Sequence, residues 1–85
     1  MKRYYVIESQ NGVKICGFGQ KAVNNDENLY INFDWAFTID SSNTKLLSSQ
    51  KMTPTKIELN YTDLLWPVSD MTEQFVKDMK NNFNI

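Results

Sequence analysis

The sequence predicts an α+β domain, an antiparallel sheet of about four to five strands packed against one C-terminal helix. Three observations predict it. Asn11-Gly12, the preferred pair for a tight hairpin turn, sits between two runs rich in β-branched and aromatic residues. Residues 29–40, "LYINFDWAFTID", alternate large apolar and mostly polar side chains throughout. Residues 69–85 place apolar side chains at helical rather than strand spacing.

The first element is the hairpin "KRYYVIESQNGVKICGFGQK". A two-residue turn at Asn11-Gly12 sets Ile7 opposite Cys16, Val6 opposite Gly17, Tyr5 opposite Phe18 and Tyr4 opposite Gly19. One face then carries Tyr5, Ile7, Cys16 and Phe18, and the other Tyr4, Val6, Val13 and Ile15. Gly17 and Gly19 resemble a fragment of a phosphate-binding loop, but such a loop needs a helix N-terminus directly behind it. "QKAVNNDEN" follows instead, so the glycines are read as gaps that let the strands approach, or as the seat of a bulge.

In the long strand, Leu29, Ile31, Phe33, Trp35, Phe37 and Ile39 form one set, and Tyr30, Asn32, Asp34, Ala36, Thr38 and Asp40 the other. If the first set points inward throughout, the second is wet. Fully extended, the strand runs roughly 36 Å, longer than the about 30 Å breadth of a compact domain of this length. It must bend, coil or project, and Ala36 is the expected hinge. "SSNTK" is a turn, "LLSSQKM" at best an edge strand, and Pro54 a further turn. "TKIELNY" is a strand with Ile57, Leu59 and Tyr61 on one face. "DLLWPV" is a packed connector in which Pro67 biases Trp66 toward extended backbone. The helix starts at Ser69 or Asp70, with Asp70 and Glu73 as a capping box and Phe75, Val76, Met79 and Phe83 as its apolar stripe. Residues 1–85 make one domain, with no internal repeat or linker.

Composition narrows function by exclusion. The chain has no histidine and one cysteine, Cys16, so the usual general base and commonest metal ligand are missing and no intramolecular disulfide forms. Cys16 falls on an apolar face without a base beside it, which predicts an inert thiol. "NNDEN" lacks the spacing of a calcium loop. No catalytic residue, metal or cofactor is expected, and hence no enzyme. The N-terminus lacks the apolar stretch of a signal peptide and no run reaches the about 18 apolar residues of a membrane span. With the lone cysteine, this predicts a cytoplasmic protein without membrane insertion.

The net charge of −1 offers no broad positive field for nucleic acid. Asp26, Glu27, Asp34 and Asp40 fall in a stretch without lysine or arginine, and the expected wet face presents Tyr30, Asn32, Asp34, Thr38 and Asp40. These five are the candidate partner-binding residues, an acidic surface for a basic protein such as a nucleic-acid-processing enzyme. The expectation is a small protein-binding module. In size and charge it is analogous to phage and mobile-element inhibitors such as anti-CRISPR proteins, though no motif supports the analogy. Homodimerisation through a sheet edge is a second route to partnership. Two alternatives follow from other residues. Arg3, Lys14 and Lys21, with exposed aromatics, would serve a nucleic-acid or nucleotide binder, and Trp35 or Trp66 would line a small-ligand pocket.

Overall fold

The computed structural model describes residues 1–50 and 55–85. The elements are β1 (Arg3–Glu8), β2 (Val13–Val23), β3 (Leu29–Asp40), β4 (Leu46–Gln50), β5 (Thr55–Glu58), β6 (Leu64–Leu65) and α1 (Asp70–Asn82). Among the described residues the strands form one six-stranded antiparallel sheet in the order β4-β3-β2-β1-β6, and β5 also pairs with β3. The α+β class therefore holds, with one strand more than expected because "DLLWPV" adds a short rung to β1. Trp66 N–H extends that ladder by donating to Val6 O at 2.9 Å, the extended geometry Pro67 favours. Pro54 lies outside the described residues.

The first hairpin is shifted by one residue from the expected register. Ile7 pairs with Ile15, Val6 with Cys16, Tyr5 with Gly17 and Tyr4 with Phe18. Only Gly12 of the turn pair has positive φ, at +78°, whereas a type I′ turn needs it at both central residues. The chain instead closes a longer loop, with Ser9 N–H donating to Val13 O and Gly12 N–H to Ser9 O. The one-residue slip exchanges faces. Tyr4, Val6, Cys16 and Phe18 lie together on the helix side, and Tyr5, Ile7 and Ile15 on the other.

Both sides of the sheet are buried. On the helix side Val6, Cys16, Phe37 and Ile39 pack with Val76, joined by Phe75, Met79 and Phe83 of the expected stripe. On the other side Tyr5, Ile7, Ile31 and Phe33 pack with Ile57, Leu59 and Leu65. In a flat sheet Ile31 and Ile7 would stand about 22 Å apart, so their packing together requires a sharp bend.

The bend lies at a β-bulge. Phe18 pairs with Trp35 but Gly19 with Phe33, leaving Asp34 as the extra residue of β3. The hinge is thus two residues before the expected Ala36. Crossing the bulge shifts the side-chain alternation by one, so Ile31 and Phe33 point to one core while Trp35, Phe37 and Ile39 point to the other. The odd-numbered set does not share a face, which corrects the expectation of a single wet surface. Gly17 and Gly19 sit against this corner. A Cβ on Gly17 would lie 2.7 Å from the Phe33 ring, and one on Gly19 would lie 2.7 Å from Phe33 Cα. The glycines allow two strands to turn a corner together, and no helix follows them.

Ser69 is the N-cap, its hydroxyl accepting from Thr72 N–H at 3.2 Å. Thr72, rather than Glu73, occupies the third helical position, and its hydroxyl donates to Pro67 O at 2.6 Å. Ser69→Ala is expected to cost about 1 kcal/mol in urea unfolding, with the sheet signal in circular dichroism unchanged.

Candidate functional site

The bulge decides where the predicted binding residues stand. Directly paired strand residues share a face, so Tyr30 and Asn32 lie with Glu58 and Lys56 on the side opposite Ile31 and Phe33. Thr38 and Asp40 alternate with Phe37 and Ile39, which puts them on the side away from the helix. Asp34 is in the bulge itself. The five residues do not form one surface, because one of them, Asp34, is the extra backbone residue that separates Tyr30 and Asn32 from Thr38 and Asp40.

Two of the carboxylates already have internal partners. Lys2 Nζ donates to Asp34 Oδ2 at 2.7 Å across partly exposed side chains. Asp40 Oδ1 accepts from Ser42 N–H at 2.8 Å, Ser42 Oγ–H at 2.6 Å and Asn43 N–H at 3.4 Å, closing the β3–β4 turn. The Ser42 side-chain and backbone hydrogen bonds hold the Asp40 carboxyl below its ordinary 3.8. A carboxylate with a depressed value favours folding above its unfolded pKa, and that contribution disappears as pH falls through the folded value. Asp40→Asn is therefore expected to lower the melting temperature slightly at neutral pH, with the difference from the parent shrinking as pH falls below about 4, as read by thermal melts across pH.

A different acidic feature emerges at the far end of the molecule. The β2–β3 loop, β5 and the chain entering β6 enclose a hollow of about 510 Å³, lined by Glu27, Leu29, Glu58, Leu59, Asp63 and Leu65 among others. Leucines form its apolar part and three carboxylates its charged part. Tyr61 also lines it and is 100% exposed, rather than sharing a face with Ile57 and Leu59 as its spacing suggests. The cause is the turn that follows β5, where Asp63 N–H donates to Asn60 O and Asp63 Oδ2 accepts from Asn60 N–H. Leu64 and Val23 are also exposed, at 58% and 60%. The loop is shaped by Asn24, whose Oδ1 accepts from Asp26 and Asn28 N–H, and Asn24 Nδ2 donates to Glu58 Oε1. Glu27 has positive φ, at 63°. Neither ion pair among the described residues involves Glu27, Glu58 or Asp63.

The basic candidates are dispersed. Lys14 lies on the helix side over the Trp66 and Phe75 rings, at 5.7 and 6.0 Å. Lys21, seven positions further along β2, stands roughly 23 Å away along the strand. Arg3 borders another hollow with Lys2, Tyr4 and Asp70. Trp66 is held by its Nε1–H donating to Glu8 Oε1 at 2.6 Å and by Phe75 against its ring. Trp35 borders open space with Tyr4, Lys77, Lys80 and Asn81, a grouping that sequence spacing could not show because it joins β1, β3 and α1.

Cys16 is buried, and burial pushes its thiol up to about 12 against a small opposing effect of Lys14. A thiol reagent is expected to leave the folded protein unmodified at pH 8 and to label one site on denaturation, as read by mass. Among the described residues no group of three or more acidic or cysteine side chains is arranged to hold a metal ion, and no helix is long and apolar enough to cross a membrane.

No known family matches the chain, and no curated protein or solved structure is significantly similar to it.

Proposed function

We propose that the chain is a small binding module that captures a basic protein partner through the hollow between the β2–β3 loop and the β5–β6 turn. The observation that carries the reading is the combination there of an apolar floor, three carboxylates without ion-pair partners among the described residues, and a fully exposed tyrosine. Exposed tyrosine with adjacent apolar surface and a charged rim is the composition of an interface centre, and the negative rim steers a positive partner toward it. The acidic recognition surface thus moves from the face of β3 to the end of the sheet.

A basic groove on a nucleic-acid-processing enzyme is a surface of the required charge. Occupying such a groove would make the chain an inhibitor, acting by exclusion rather than by catalysis. The charge match supports that finer reading, and no sequence motif does.

The test uses Glu27→Lys combined with Tyr61→Ala, both at positions whose side chains bear no described hydrogen bond. A protein partner recovered from host lysate is expected to bind the double variant at least about 30-fold more weakly, the loss a tyrosine hot spot of 2 kcal/mol gives. Asp40→Asn serves as the control and should bind normally. Equal capture of the double variant, or a partner whose contact surface is acidic, refutes the reading.

A further inference from the structure

We propose that a second site, the hollow of about 250 Å³ between the last turns of α1 and the Tyr4–Trp35 strip, takes a nucleotide unit: a planar base carrying phosphate. The two rings are partly exposed neighbours, with centroids 6.2 Å apart, and Phe18 extends the strip at 4.9 Å from Tyr4. Lys80 Nζ stands 4.0 Å above Trp35 and Lys77 Nζ 5.4 Å from the Tyr4 centroid. Asn81 adds an amide that can both donate and accept.

The site combines the two components that nucleotide recognition uses, ring faces for the base and ammonium groups for the phosphate. In the free protein each ammonium rests on an aromatic face, where the ring quadrupole attracts it. A base stacking on Trp35 covers that face with far more contact area, and the flexible lysine stem then swings its charge to the phosphate. The carboxylates offset the Lys77 charge in part, through its i,i+4 pair with Glu73, and leave that of Lys80 in place. Asp34 is taken by Lys2, Glu73 stands 3.6 Å from Lys77, and Lys80 has no ion-pair partner among the described residues. Electrostatics thus separates this site from the acidic hollow. On the same side of the sheet, beyond the bend, Lys56 Nζ stands 4.2 Å above Tyr30, repeating the ring-and-lysine pairing.

The probes are a nucleoside monophosphate, a fluorescent single-stranded oligonucleotide of about ten bases, and polyglutamate as a polyanion without rings, all at low salt because phosphate contacts are screened. Readouts are tryptophan fluorescence and oligonucleotide anisotropy. Saturable binding of the monophosphate assigns the site to free nucleotides, and binding of the oligonucleotide alone assigns it to single strands. Either result supports the proposal when Lys77→Gln with Lys80→Gln weakens it at least tenfold and Trp35→Leu does likewise at an unchanged melting temperature. Because Trp35 also packs in the core, the lysine pair keeps the test valid if the tryptophan variant unfolds. No binding of either nucleotide probe, affinity unaltered by the lysine pair, or polyglutamate bound as tightly as the oligonucleotide overturns it.

Discussion

Gly19→Ala is expected to lower stability by about 4 kcal/mol, at the severe end of single substitutions. The added carbon would meet backbone rather than movable side-chain ends: Phe33 Cα at 2.7 Å, Asn32 C at 2.8 Å and Asn32 O closer still. Relief requires the two strands to separate at the bulge where both change direction, and that would disturb the packing of Phe33 and Ile31 behind it. Gly17→Ala meets Trp35 O, the Phe33 ring and Ala36 Cα at 3.0 Å, and should cost nearly as much. Gly12→Ala provides the contrast, because nothing lies within 4 Å of its Cβ position and only the positive φ resists substitution. That costs about 1 kcal/mol. A domain of this length has on the order of 4 to 13 kcal/mol in total, so Gly19→Ala brings it close to unfolding at room temperature. Urea titrations of the three variants measure the order. A Gly19→Ala protein within 1 kcal/mol of the parent by that measurement would show that the corner is loosely packed.

Phe33→Ala and Phe37→Ala are each expected to cost about 3–5 kcal/mol, the usual range for emptying a buried aromatic position. Phe33 is 0% and Phe37 2% exposed, four residues apart on one strand, yet they fill different cores. Phe37 stacks on Trp35 at 6.5 Å and meets Phe83 of the helix edge-on at 6.2 Å. Phe33 packs in the core of Ile7, Ile31 and Tyr5. Residues that share no neighbours add independently, so the milder pair Phe33→Leu and Phe37→Leu should sum to within about 0.5 kcal/mol in a double variant that still folds. A single cooperative transition with additive losses is the expected calorimetric result. A coupling above 1 kcal/mol would mean that the two cores communicate through β3.

The sequence made the element types legible, because alternation, helical spacing and the Asn-Gly signal are local properties. Asp70–Asn82 as the helix, its Phe75–Val76–Met79–Phe83 stripe and the edge character of β4 all follow from pattern. Register and face were less legible, because both depend on single backbone residues. One extra loop residue before Gly12 moved the hairpin pairing, and one extra strand residue at Asp34 divided the apolar set of β3 between two cores. A bulge leaves the alternation of side chains in the sequence intact while reversing its meaning in space, so periodicity alone could not locate it. Gly17 and Gly19 were the available signal, since glycines within an apolar strand mark a close approach or a bulge. The candidate sites were legible only in part. Tyr30 and Asn32 were separated from Thr38 and Asp40 by that same residue, whereas the hollow around Tyr61 brings Glu27 together with Glu58 and Asp63, some thirty residues further along the chain.

The extra residue at Asp34 makes the strand intolerant of changes in length. Removing it would act as a frameshift in three dimensions. The composition would hardly alter, but Ile31 and Phe33 would rotate toward the helix while Tyr30 and Asn32 turned into the opposite interior. Substitutions at this position are cheap, since it supplies a backbone step and an exposed salt bridge, whereas a single-codon deletion would turn half of the long hairpin inside out.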